Sequence, residues 1–245
     1  MLRKLYYGQL DMQQLIVSLF SYLILLFLVQ PVHECAHAWM AHKMGDDTAK
    51  DAGRLTLNPF RHLDLVGTIS MLIFGFGWGK PVPVDTSNFK DPRKGNGLTS
   101  LAGPTVNIIA AFIGMIGLKI SNSLLLSSFT EEAFYDAQAM KIALAGNRYY
   151  YIYYFFYLFT TINVMLGIFN LMPVYPLDGS GVFLWIAPRK VADKYVGIVR
   201  KYSQLMPLLL FAIMLSPLFG WLQDGAFWVL DKMTFFMDII MEKAV

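Results

Sequence analysis

Long apolar runs, rather than alternation, dominate the chain. Four stretches have the length and apolarity to cross a hydrocarbon layer of about 30 Å: Leu15 to Ala41, Leu98 to Ile120, Tyr149 to Leu171 and Leu205 to Leu222. A fifth, LVGTISMLIFGFGWG at 65–79, is shorter and rich in glycine, which predicts a re-entrant or β-hairpin segment. Backbone of that kind persists at membrane depth only where protein or a wet cavity surrounds it. Residues 1–14, with Arg3, Lys4, Tyr6 and Tyr7, read as an interfacial lead-in. At the other end, Asp231, Asp238 and Glu242 share one helical face among Phe, Ile and Met, the pattern of a helix lying in the interface. The expected fold class is an all-α polytopic membrane protein. It has about four spanning helices, the re-entrant or β-hairpin segment and the C-terminal interfacial helix. One integral-membrane domain is expected over 1–245, with a core at about 15–185 and C-terminal helices at 203–245.

Composition strengthens this picture. The 245 residues are 56% hydrophobic and 15% charged, against about 25% charged in ordinary soluble domains. No polar stretch is long enough for a separate soluble domain. The net charge of +3 gives no nucleic-acid footprint, and the single cysteine, Cys35, permits no internal disulfide. The apolar run from Leu15 past Val32 is longer than the h-region of a cleaved signal peptide, about 7 to 15 residues, so it is expected to be a retained helix.

Against this background LFLVQPVHECAHAWMAHK, at 26–43, stands out. Ionisable groups at bilayer depth cost on the order of 2.5 to 3.5 kcal/mol each, so three of them within five residues imply a use. On a helix His33 and His37 lie one turn apart on one face, the spacing at which two imidazoles bind one zinc ion. Glu34 sits beside such a metal without binding it, placed as a base for an attacking water. Cys35 lies about 200° around the helix from His33 and faces away, as a small buried apolar residue.

A catalytic zinc site needs a third protein ligand and one open position. Six residues after His37 stands Lys43, and His42 is rotated about 140° from His37, so neither serves. Far downstream, FNLMPVYPLDGSG at 169–181 ends the third long apolar run, and Pro173 and Pro176 stop the helix just before Asp178. On spacing alone Asp178 is either the third ligand or an ordinary helix-end cap. His62 reads as an interfacial side chain, and Gly53 with Asn58-Pro59 as turn chemistry.

HECAH, AGPTVN at 102–107, NLMPVYPLDG at 170–179, and GRLTLNPFRHLDLVGT leading to WGKPVPV together resemble the site-2 protease family of intramembrane zinc metalloproteases, in particular its compact prokaryotic branch. The resemblance covers roughly residues 30 to 185. It implies His33, His37 and Asp178 as ligands of Zn2+ and Glu34 as the catalytic base. It also makes Asn107 and Asn170 candidate polar supports. The loops are too short for the PDZ-type or CBS-type domains of many members, so substrate delivery is expected to rest with the membrane core, a separate adaptor protein or a homo-oligomer.

The resulting expectation is a zinc-dependent intramembrane endopeptidase in a prokaryotic cell membrane, acting on a substrate helix within the lipid bilayer, with no nucleic-acid partner. The rival is a membrane zinc transporter or a catalytically silent metal-binding scaffold. A helical substrate must unwind before it is cleaved, since its carbonyls are already hydrogen-bonded. Gly75 to Val84, GFGWGKPVPV, has the glycines, prolines and alternating valines of an exposed sheet edge. Trp78, Lys80 and Pro81 are therefore candidate substrate-binding residues, on an edge that pairs with the unwound segment by strand addition. A plain membrane-entry loop is the alternative.

Basic residues orient the chain. Lys43, Lys50, Arg54, Arg61, Lys80, Lys90, Arg93, Lys94, Arg189, Lys190, Lys194, Arg200 and Lys201, thirteen of the twenty, fall in three loops on one side. That side, with the C-terminal end of the first helix, is expected to be cytoplasmic. A reporter inserted near Lys94 should then score as cytoplasmic and one fused after Val245 as extracytoplasmic; the reverse pattern would refute the assigned number of spans.

Overall fold

The computed structural model of the protein describes residues 16, 19–21, 23–74, 77–130, 135–144 and 147–243. The lead-in at 1–14 and Gly75 and Phe76 of the glycine-rich stretch lie outside these residues, as do the side chains of Asp238 and Glu242. The α-helices are α1 (Gln30–Met44), α2 (Thr48–Asp51), α3 (Leu65–Phe74), α4 (Pro92–Ser127), α5 (Ala137–Leu144), α6 (Arg148–Asn170), α7 (Asp178–Ile186), α8 (Arg189–Tyr202), α9 (Met206–Leu215) and α10 (Pro217–Lys243). Among the described residues three helices are long and apolar enough to cross a membrane: Leu19–Met44, which contains α1, then α4 and α6. A fourth crossing arises if α8 and α9, bent by 85°, are counted as one broken span.

Local chemistry explains where these helices begin and bend. Pro31 has no amide hydrogen for the carbonyl one turn before it. The turn Leu25–Val29 widens to π geometry, with Gln30 N–H bonded to the Leu25 carbonyl. α1 ends at Gly45, in the left-handed region at φ 108°. Asp91 caps α4 by accepting from the amides of Arg93 and Lys94, and Pro92 occupies its first turn. Asn147 caps α6 through the Tyr149 amide.

α4 is the central helix, packed against α1, α6 and α7. Ala111 and Met115 of α4, Val164 of α6, and Ala226 and Met233 of α10 form one buried apolar cluster. The C-terminal residues thus differ from the interfacial helix expected for them. α10 is seated on two spanning helices, with Thr234 Oγ1 3.6 Å from Met115 Sδ, while Asp224 and Asp231 stay exposed.

The span anticipated at 205–222 is broken at Ser216, which takes extended geometry (ψ 162°) ahead of Pro217. α9 alone is ten residues long, roughly 15 Å at the helical rise and about half a hydrocarbon layer. Within 65–79, residues Leu65–Phe74 are helical, and the strand pairing among the described residues there is one antiparallel bridge between Leu63 and Gly79. Continuous apolarity suits a buried strand and a short helix equally, so periodicity alone does not separate them.

Asp46, fully buried just beyond α1, ties that helix to the segment leading into α4. Its carboxylate accepts from Thr48 N–H and Oγ1, from Asp85 N–H at 2.8 Å and from Asn88 Nδ2 at 2.8 Å. Burial works against ionisation, but these bonds outweigh it and hold the carboxyl below the usual aspartate range. The contribution of this lowered pKa is full above the ordinary aspartate value of about 3.9 and fades as pH falls towards the folded-state value. Asp46→Ala should destabilise the protein by about 3 kcal/mol, read as a lower midpoint of thermal unfolding in detergent at neutral pH, with the gap from wild type closing in acid.

Candidate metal centre

The π turn ahead of Pro31 leaves α1 regular from Gln30 onward, so His33 and His37 stand one turn apart. Both are almost wholly buried, at 4% and 7% exposure. Their Nε2 atoms are 3.0 Å apart. Asp178 Oδ2 lies 3.2 Å from His33 Nε2 and 3.3 Å from His37 Nε2. Four tetrahedral bonds of about 2.05 Å place neighbouring ligand atoms about 3.3 Å apart, so this triangle matches one face of a zinc tetrahedron. Asp178 Oδ2 is buried and makes no well-formed hydrogen bond, which suits an oxygen aimed at a cation. Among the described residues His33, His37 and Asp178 are the one group of three or more such donors able to hold a metal ion.

The supports come from other parts of the chain. His37 Nδ1 donates to the Thr99 carbonyl at 2.7 Å, which keeps Nε2 as the free donor atom. Gly103 is what lets α4 come so near. A Cβ there would lie 2.4 Å from His37 Nε2 and 2.6 Å from His33 Cε1, so any larger residue would displace the imidazoles. Asp178 opens α7 after the turn that follows α6. That short helix is braced at its far end by Arg93, whose guanidinium donates to the carbonyls of Leu184 (2.6 Å) and Ala187. At its near end the Tyr195 hydroxyl of α8 donates to the Pro173 carbonyl and accepts from the Tyr175 amide, at 3.3 and 3.1 Å.

Glu34, 9% exposed, accepts from Gln30 Nε2 at 2.7 Å. The 77–84 segment runs beside that pair. A Cβ on Gly79 would lie 2.7 Å from Gln30 Nε2, so this backbone lies against the glutamate's partner. The segment is anchored by Lys80 N–H to the His62 carbonyl at 2.8 Å and by the Lys80 carbonyl, which accepts from Arg54. Burial disfavours the Arg54 cation, and the Glu34 charge offsets part of that.

The structure therefore brings His33, Glu34, His37 and Asp178 together, and sets the Trp78, Lys80 and Pro81 segment beside them with those three side chains exposed. Asn107 is fully buried on the face of α4 one turn beyond Gly103, with both amide atoms unpartnered within the protein. Asn170 is not drawn in; its amide donates to the Leu166 carbonyl of its own helix. His62, expected at the interface, is instead completely buried and donates Nε2 to the Thr56 carbonyl at 2.8 Å. Cys35 is half-buried in an apolar cavity of about 410 Å³ between α1 and α4, lined by Val32, Trp39, Leu98, Leu101 and Ile109.

Sequence reasoning missed Gln30, Arg54, Arg93, Thr99, Gly103 and Tyr195. Gln30 had a visible signal, a lone polar side chain four residues before Glu34 in an apolar run. Thr99 contributes a main-chain oxygen, which no residue type announces.

The sequence profile described as "Peptidase family M50" matches residues 21–214. The chain is 38% identical to "Putative zinc metalloprotease YwhC" of Bacillus subtilis (strain 168) over 206 residues, which cover 84% of this chain and 86% of that one. No solved structure matches it significantly.

Asp178→Ala should strip zinc from the purified protein, measured by atomic absorption, because two histidines alone leave the ion short of three ligands. Gly103→Ala should lower zinc affinity by roughly 10- to 100-fold in chelator competition, the range for disturbed supporting groups. Full occupancy in the first variant would remove Asp178 from the ligand set.

Proposed function

The chain belongs to the site-2 protease family, peptidase family M50, and is a membrane zinc metalloendopeptidase; from that premise we propose that the bond it cleaves lies within or beside a transmembrane segment of another membrane protein. The observation that carries this reading is where the donor triangle stands along its helix. His33 lies fourteen residues after the start and eleven before the end of the candidate span Leu19–Met44. Eleven residues amount to roughly 16 Å of helix, deep enough to meet a bond inside the hydrocarbon layer. The rival expectation of a transporter or silent scaffold yields to the family and to the buried glutamate beside the triangle.

His33, His37 and Asp178 would hold the ion. When bound, zinc supplies a Lewis acid for the scissile carbonyl and lowers the pKa of water at the site. Glu34, oriented by Gln30, takes the proton of the attacking water and passes it to the leaving amine. Thr99 keeps His37 in one tautomer throughout. Burial of His33, Glu34 and His37, with Asp178 half-buried beside them, keeps their mutual interactions in a low dielectric, where aligned charges act more strongly than in water. The thirteen basic residues in the loops on one side support an active site that opens to the cytoplasm.

Substrate presentation falls to the 80–84 segment. Pro81 and Pro83 have no amide hydrogens, and among the described residues the Val82 and Val84 amides make no hydrogen bond. An unwound substrate can pair with those two amides, on a segment anchored to the enzyme through Arg54 and His62. An adaptor protein or a second copy would assist delivery.

Glu34→Gln should keep zinc and cut the rate by at least a hundredfold, read as the disappearance of membrane-protein fragments; a variant that still cleaves would exclude Glu34 as the base. Val82→Pro or Val84→Pro should slow cleavage roughly tenfold with zinc retained, since each removes an edge donor. Helix-breaking residues near the scissile bond of the substrate should speed it. Unchanged rates in both series would leave the segment without a presenting role.

A further inference from the structure

Among the described helices α8 is the most strongly amphipathic, and no step above uses its outer face. Its fourteen residues divide cleanly at 100° per residue. One half carries Val191, Ala192, Tyr195, Val196, Ile198, Val199 and Tyr202, and the other carries five basic residues with a single acid, Asp193. Only part of the apolar half faces the protein: Ala192 is buried, and Tyr195 and Val199 are half-buried. Val191, Ile198 and Tyr202 remain exposed at 46%, 46% and 41%, and they lie within about 40° of one another around the helix. Beside that strip, Lys190, Lys194 and Lys201 form a row on the polar side.

An apolar strip edged by lysines is the pattern of a helix resting in the headgroup layer, with its stems against acyl chains and its ammonium groups at phosphate depth. Its direction agrees. α8 and the wholly apolar α9 meet at 85°, so a helix that dips into the bilayer at α9 leaves α8 lying along the surface. The excess of basic side chains selects the lipid charge, since each Lys or Arg near an anionic surface is attracted to it.

We propose that the Val191–Ile198–Tyr202 face of α8 docks on anionic phospholipid, and that this docking holds the Asp178 turn in place through Tyr195. The second half follows from contacts on the inner side of the same helix. The Tyr195 hydroxyl bonds both Pro173 and Tyr175, on either side of Val174 in the turn that leads to Asp178. Its ring packs on Phe183 of α7 with centroids 5.1 Å apart. A helix fixed on its outer face by lipid therefore fixes, from its inner face, the loop that carries one corner of the donor triangle. This coupling rests on the assignment of Asp178 as a zinc ligand; the lipid contact does not.

The full-length protein, with Cys35→Ser and Ile198→Cys, is labelled with an environment-sensitive fluorophore. It is then placed in nanodiscs of phosphatidylcholine alone or of phosphatidylcholine with phosphatidylglycerol. A blue-shifted emission, quenched by spin-labelled lipid, is expected in the anionic discs, with the docked-to-undocked ratio falling roughly fivefold for each of Lys190→Gln, Lys194→Gln and Lys201→Gln. Aqueous emission in both discs, or equal burial in both, would overturn lipid docking. For the coupling, zinc release to a chelator should be several-fold slower in anionic discs for the wild type. That difference should vanish in Tyr195→Phe, which keeps the ring contact and loses both bonds. Release independent of lipid charge in the wild type, with the probe still docked, would overturn the coupling alone.

Discussion

The site depends on the close approach of α4 to the two imidazoles of α1. Gly103 faces His33 and His37 with no side chain of its own, and four residues earlier the Thr99 carbonyl receives the His37 ring. These two contacts set α1 and α4 antiparallel, with His37 against Thr99 and His33 against Gly103. In an apolar environment helices gain little from burying more apolar surface, and close backbone approach with a few polar contacts holds them together. Here the same features that pack the helices also orient the side chains of the donor triangle.

From that contact the remaining parts follow in order. α4 carries Arg93 at its start, and Arg93 secures the end of α7. α7 begins at Asp178, so the third donor is referred to the same helix that positions the first two. On the opposite flank, Asp46 ties the end of α1 to the segment that enters α4, and Arg54 with His62 fixes the 80–84 segment beside Glu34. Asp46, Arg54 and His62 are buried, and each makes at least one hydrogen bond, consistent with the cost of leaving such groups unpaired away from water. The arrangement sets four side chains from two helices at defined separations, which is what positioning contributes to a reactive site.

The outer surface answers to a different solvent. Tyr151, Ile152, Ile113 and Trp221 are exposed apolar side chains of the kind a bilayer accepts. α8 departs from this by pairing its apolar strip with lysines, which is why it reads as a surface helix while α4 and α6 read as spans.

The sequence by itself determined the membrane class, three of the spans and the chemistry of the centre. Apolar length is a property of consecutive residues, and His33, Glu34 and His37 are brought together by one helical turn. Even the helix stop before Asp178 was legible, because proline acts on its immediate neighbours. Tertiary structure decided what depends on residues far apart. It closed the triangle with Asp178, left no room for a side chain at Gly103 and turned the Thr99 main-chain oxygen into the partner of His37. It also buried His62, split the anticipated fourth span at Ser216 and drew the C-terminal helix onto Met115 and Val164. The reason is physical: a residue's propensity and polarity act along the chain, whereas a distance between α1, α4 and α7 exists only once the helices have packed, and no run of letters contains it.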